Sequence, residues 1–368
     1  MKRKLKKVQQ VREKVSDAVA GKAVALNPLN PPKPEEPPSL ANVPRITDEN
    51  ITEHREEVLK GARKYIYPLA HSKRRIVSIT FSIIGAAIVG FLIYCGLALY
   101  NFYQYNTFLY RVTQVVPFPI ARADGHFVDY ENYLFQLRRY IHYYQTQQQQ
   151  NFASNNKQLL QYRQQALSDV VNNAYVKVLA SQHGVSVSDK EVDQRVAEVR
   201  DQNRLGSNDK VFADVLRDYW GWSINDFRRS LKDQILAEKV VAKLDAADTA
   251  RAESILKTVQ GGADFTATAK QFSNDSSAAT NGGDYGVAIT KDNPNIPPQV
   301  VEELFTMKAG QISSIVNAGT TLEILKLNGV SGNTVTAQHI SINLVPISTY
   351  INQLKAKAPP HLYVHFKA

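Results

Sequence analysis

The chain has 368 residues, a formal net charge of +10, 43% hydrophobic residues and a single cysteine, Cys95. One cysteine excludes an internal disulfide, so any domain outside the cytoplasm is held by its core alone. The length allows two modest domains with extensions. No phosphate-cradling glycine loop, dinucleotide fingerprint or nucleophile elbow is present, and the histidines show no metal-ligand spacing with the cysteine. No cofactor and no metal are expected, and no specific nucleic-acid partner.

Residues 1–75 carry 17 Lys+Arg against 9 Asp+Glu. Residues 1–25 are strongly basic, with Leu5, Val8, Val15 and Ala18 on one face of a helix if they form one. They read either as a solvated tail or as a segment that docks on an acidic lipid surface or a cytoplasmic partner. The proline-rich stretch that follows, residues 28–44, cannot build a packed core and reads as a linker, with a docking site for a proline-reading domain as the alternative. A short polar helix is expected over residues 47–65.

Residues 76–100 contain no charged side chain. As a helix they rise about 37 Å, enough to cross a hydrocarbon core of about 30 Å with some tilt. The run is too long and too far from the N-terminus for a cleaved signal peptide. Lys73-Arg74-Arg75 flank it on one side, and the next basic residue after Tyr100 is Arg111. The positive-inside rule therefore predicts a single-pass cell-membrane protein with a cytoplasmic N-terminus and extracytoplasmic domains. Ser82, Ala86 and Gly90 make a small-residue stripe on this helix.

Beyond the span the pattern is helical. Tyr130, Tyr133, Leu134, Leu137 and Ile141 share one face, and Leu167, Val170, Val171, Ala174 and Val178 another. Ser188 with Glu191, and Ser223 with Asp226, predict capping boxes at two helix starts. The Trp220-Gly221-Trp222 turn reads as core packing, with peptide contact as the alternative. Residues 120–130 and 183–192 resemble the opening turn and the G-I-x-V-S-D-x-E-V segment of the SurA-like and PrsA-like chaperone domain. That resemblance implies a helical cradle, residues 101–245, holding unfolded or extended polypeptide.

Residues 272–286 run Phe-Ser-Asn-Asp-Ser-Ser-Ala-Ala-Thr-Asn-Gly-Gly-Asp-Tyr-Gly. They resemble the central signature of parvulin-type (PpiC-like) peptidyl-prolyl isomerases. Three further matches follow the family's order: Gly262-Ala-Asp-Phe265, Ile296 to Phe305, and Met307-Lys-Ala-Gly-Gln-Ile-Ser313. The family's opening strand, A-R-H-I-L, is missing before Ala250. Ala337-Gln-His-Ile340 resembles it from the other end, so the domain, residues 246–345, is read as circularly permuted, with an unrelated terminal strand as the alternative. A C-terminal helix and strand, residues 346–368, are expected to return to the chaperone-like domain. The fold class is α+β: a transmembrane helix, a helical domain, and a small antiparallel sheet with surrounding helices.

By this resemblance Asp275, His339 and Thr320 fall on catalytic positions, and Tyr285, Ile296, Val300 and Phe305 on the proline-binding positions. Glu323 departs from the pattern, because it stands where the family has a second histidine. The bland reading of Asp275 is a loop cap, and of His339 a strand histidine bonded within the core. The implied function is a membrane-anchored folding factor with prolyl isomerase activity of reduced strength. The alternatives are a non-catalytic holdase and an envelope-complex scaffold.

Overall fold

The computed structural model describes residues 47–66, 69–149 and 156–366. The basic segment 1–25, with its expected lipid or cytoplasmic partner, and the proline-rich stretch lie outside the described residues. The chain divides into two compact units, residues 1–84 and 85–368.

In the first unit, helix α1 (Asp48–Ile66) is polar and exposed, with Asp48 and Glu49 in its first turn, where acidic groups complement the helix dipole. Helix α2 (Leu69–Tyr100) begins in this unit and includes the apolar span Arg75–Tyr100. By length and composition this is the one described helix fit to cross a membrane.

The second unit opens with the end of α2. Cys95, Ala98 and Leu99 are buried there in a core shared with the elements that follow. Helix α3 (Thr107–Thr113) is capped by Asn106, whose side chain accepts from Leu109 N–H. Strands β1 (Pro119–Ala123) and β2 (His126–Asp129) form a hairpin turned by Asp124 and Gly125, both at positive φ. Helices α4 (Tyr130–Thr146), α5 (Asn156–Gln182), α6 (Asp189–Gln202), α7 (Asp209–Trp220) and α8 (Ile224–Leu244) complete the helical domain. Ser188–Glu191 and Ser223–Asp226 form reciprocal capping boxes. Gly221 closes α7 in the left-handed conformation, and Trp222 then stacks on Phe135 at 5.1 Å in the core.

Helix α9 (Ala246–Gln260) follows α8 with one residue between them. That residue, Asp245, is 5% exposed, caps Asp248 N–H and accepts from Val345 N–H at 2.7 Å. It thereby ties the helix junction to the end of the sheet. Helices α10 (Phe265–Phe272) and α11 (Ala278–Asn281), strand β3 (Ile289–Thr290) and helix α12 (Pro298–Thr306) lead to β4 (Val316–Asn317), β5 (Thr321–Ser331) and β6 (Thr334–Asn343). The sheet is antiparallel, in the order β3-β6-β5-β4. Ile324, Ile340 and Ile342 face α9 and α10, while Leu325, Leu327, Val335 and Ala337 face α12, so the sheet is buried on both sides.

Helix α13 (Ile347–Lys357) and strand β7 (His361–Leu362) end the chain's described fold. Strand β7 pairs with β1, Tyr363 N–H donates to Ile120 O, and Val364 and Phe366 enter the helical core beside Tyr133.

Candidate isomerase site

The site is built where the loop after α10 crosses the sheet. Gly282 and Gly283 both take positive φ, which only glycine adopts without strain. A side chain on Gly283 would meet His339 O at 2.1 Å. The glycine pair therefore lets the loop lie against β6: His339 N–H donates to Gly283 O, and Tyr285 N–H to Ala337 O. Asn281 braces the turn by accepting from Gly283 N–H and donating to Asp284 O.

This approach sets three ionisable side chains in line. His339 Nε2 is 3.1 Å from Asp275 Oδ2, and His339 Nδ1 is 3.0 Å from Glu323 Oε2. Side-chain exposure falls along the line, from 28% at Asp275 through 13% at His339 to 8% at Glu323. Asp275 accepts further bonds from the Ser277 hydroxyl and the Ser277 N–H. Glu323 accepts from Thr321 Oγ at 2.6 Å and Ser341 Oγ at 2.8 Å. The Tyr285 ring stacks on the imidazole, with centroids 4.4 Å apart.

The electrostatics follow from these contacts. Burial alone would depress the His339 pKa, but the carboxylates of Glu323 and Asp275 outweigh it and hold the value above the ordinary one. The Ser277 hydroxyl, aided by its N–H and by His339, keeps the Asp275 carboxyl below the usual range. Burial, reinforced by the two carboxylates, raises the Tyr285 phenol. An imidazole donates to two carboxylates at once only as imidazolium, the form that a raised pKa favours. The cluster is a carboxylate–imidazole–carboxylate chain with one end at the surface.

Of the positions expected from sequence, Asp275, His339, Glu323 and Tyr285 meet in this cluster. Thr320 does not join it. It stands exposed beside a cleft of about 340 Å³ lined by Gln234, Glu238 and Leu344. The hydroxyl bonded to Glu323 belongs to Thr321. Strand alternation explains the shift of one residue, since Thr321 and Glu323 lie on one face of β5 and Thr320 precedes the strand. Ser277 and Ser341 also belong to the network and were not singled out from the sequence. The F-S-x-D-x-S spacing carried a signal for Ser277, but Ser341 needed the β5–β6 register.

Ile296 and Val300 lie in one apolar cluster with Tyr285 and Phe305. Val300 is fully buried and Ile296 is 6% exposed. The helical domain also grips this region. Gln202, at the end of α6, donates to Asn293 O at 2.8 Å and Ile296 O at 2.9 Å, and Arg204 pairs with Asp292.

Comparison with known proteins matches these two parts separately. The family described as SurA-like N-terminal domain matches residues 71–241, and the PPIC-type PPIASE domain matches residues 235–329. The chain carries a SurA-like N-terminal domain and a PPIC-type parvulin domain. It is similar to Chaperone SurA of Methylobacillus flagellatus, with 22% identity over 53% of this chain and 54% of that one. A second Chaperone SurA, from a Polaromonas species, is 32% identical over 27% of this chain and 22% of that one. Foldase protein PrsA of a Geobacillus species is 27% identical over 41% of this chain and 59% of that one. The chain spans about half the length, or less, of these relatives. The parvulin-domain match opens within helix α8 and closes before β6, so His339 lies beyond it.

Proposed function

We propose that the protein is a membrane-anchored, extracytoplasmic foldase that binds unfolded or extended polypeptide and carries a parvulin-type prolyl isomerase of reduced activity. The observation that carries this reading is the Asp275–His339–Glu323 chain beneath the stacked Tyr285 ring. Prolyl isomerisation must lower a barrier of about 20 kcal/mol to rotation about the C–N bond. It needs no nucleophile, only groups that favour a twisted amide over the planar one. An ionised Asp275 fixed by three hydrogen bonds offers a preorganised negative charge at the surface end of the chain.

Two features support reduced activity. Glu323 replaces the second histidine and takes up both a proton donor of His339 and two hydroxyls. Ile296 and Val300 serve as core, leaving Tyr285 and Phe305 as the half-buried members of the expected pocket. These same features favour the second reading, a holdase that keeps the parvulin shape without turnover.

The permuted order is part of the proposal. Where the matched region begins the chain has helices α8 and α9, not a strand. The strand bearing His339 arrives last and takes the position between β3 and β5. Anchoring rests on the uncharged span and its basic flank, which orient the N-terminus to the cytoplasm.

A proline-isomerisation assay on the full chain in detergent tests the reading. Turnover above background that falls with Asp275→Ala and with His339→Ala supports an isomerase. Background rates, together with suppressed aggregation of an unfolded client, select the holdase.

A further inference from the structure

The apolar helix does not stop where the helical domain starts. Cys95, Ala98 and Leu99 are at most 2% exposed within the domain core, and the Tyr130 hydroxyl donates to Leu99 O at 2.7 Å. The Tyr100 hydroxyl donates to Pro119 O at 2.6 Å. The last turns of α2 are therefore structural members of the domain, with no linker between them and it. What remains outside that core, residues 76–94, rises about 28 Å as a helix, close to the thickness of a hydrocarbon core.

The uncharged stretch also outlasts the helix. Between Arg75 and Arg111 the sequence contains no Lys, Arg, Asp or Glu. Its aromatic residues sort by direction. Tyr103, Tyr105 and Tyr110 pack against the core, whereas Phe102 is 68% and Phe108 53% exposed. On α3, Leu109 and Thr113 are the buried residues, so Phe108 points the other way. Its ring meets Phe91 of α2 edge-on, with centroids 6.3 Å apart. Phe91 lies one turn before Cys95, on the part of α2 that is exposed and apolar. Val115, just past α3, is 83% exposed.

We propose that Phe102, Phe108 and Val115 form a lipid-facing foot that seats the helical domain on the outer membrane–water interface. The occupant is the lipid surface because Phe108 packs on the anchor helix itself, at the depth where residues 76–94 leave the hydrocarbon. Amphipathic segments of this kind insert about 5–10 Å into the headgroup–acyl boundary, where aromatic side chains concentrate. A seated domain keeps a fixed height and tilt, so its polypeptide-binding surfaces face away from the bilayer in one orientation. The proposal rests on the membrane-anchored reading and specifies how the anchor is used.

Single-cysteine labelling tests it, since Cys95 is buried and leaves introduced cysteines to react selectively. Full-length Phe102→Cys, Phe108→Cys and Ile88→Cys, with Ser207→Cys as an exposed control, carry a fluorophore in nanodiscs of phosphatidylcholine and phosphatidylglycerol. Lipids bearing a nitroxide near the top of the acyl chain should quench positions 102 and 108 several-fold more than position 207. Quenching at 88 but not at 102 or 108 overturns the seat and leaves the anchor standing. Absence of quenching at 88 as well overturns the anchored reading itself. Protection of 102 and 108 from aqueous iodide without lipid quenching assigns the surface to a protein partner and also overturns the proposal. Phe102→Cys keeps the test decisive should Phe108→Cys disturb α3, because Phe102 is the more exposed of the two.

Discussion

Glu323 Oε2 lies 3.0 Å from His339 Nδ1, diagonally across the β5–β6 ladder in which Glu323 faces Ser341 and Leu325 faces His339. Diagonal neighbours on one sheet face are within reach of long side chains. The contact puts a carboxylate, nine-tenths buried, against the inner nitrogen of the site histidine. Replacing Glu323 with Gln removes that anion while keeping the shape. Asp275 alone then opposes burial, and the His339 pKa should fall relative to wild type, as read by NMR titration of the imidazole. An unmoved titration would show that Glu323 does not govern the protonation of His339. Glu323→His, which restores the family's second histidine, should raise prolyl isomerisation in the same protein. Unchanged or lower turnover would place the limit in the buried pocket positions instead.

The same chain predicts a pH window for stability. His339 has a raised folded pKa, so its contribution is fully present below about 6.5 and is lost as pH rises through the folded value. Asp275 has a depressed folded pKa, so its contribution is present above about 3.9 and is lost as pH falls through the folded value. The parvulin domain should be most stable between these two limits. Denaturant midpoints measured across pH should lose the alkaline slope in His339→Phe. A slope that persists would assign it to another group.

Gly283 and Gly286 separate two costs that are often merged. Both have positive φ, but a Cβ at Gly283 would strike His339 O whereas one at Gly286 meets nothing within 4 Å. Gly286→Ala should cost only the left-handed backbone term, about 1–2 kcal/mol. Gly283→Ala should cost clearly more, because the loop must leave β6 and take the hydrogen bonds of His339 and Tyr285 with it. Chemical denaturation orders the two. Equal losses would mean that the loop does not need this close approach.

Much of this was readable from residue pattern. The capping boxes at Ser188 and Ser223 and the Gly221 turn follow from local stereochemistry, and local rules are carried by neighbouring residues. The F-S-x-D to G-G-D signature likewise marked Asp275 and the loop that reaches β6. What was not readable depended on register and depth. Thr321 rather than Thr320 serves Glu323 because of where β5 begins, a boundary that sequence fixes only to within a few residues. The burial of Val300 depends on α12 packing against β4 and β5 from a distance along the chain. The use of Cys95, Ala98 and Leu99 as domain core was hidden because lipid and protein interior select the same apolar side chains.

Arg195 ties helix α6 to helix α8 inside the helical domain, at the side where α12 and β4 of the parvulin domain approach. Its guanidinium forks onto Glu238 and also bonds Glu198, and all three side chains are about nine-tenths buried. Burial raises the Glu198 pKa, and Arg195 opposes that rise. Removing the cation strands two carboxylates beside a cleft of about 290 Å³ that α12 and β4 also line. Arg195→Met should therefore destabilise the protein by about 3–5 kcal/mol near neutral pH, the usual cost of breaking a buried pair. Acidification should recover part of the loss, because protonating Glu198 removes one of the unpaired charges. Thermal melts of wild type and variant at neutral and mildly acidic pH test both halves, and a loss that does not shrink at lower pH would mean that the carboxylates reach solvent once Arg195 is gone.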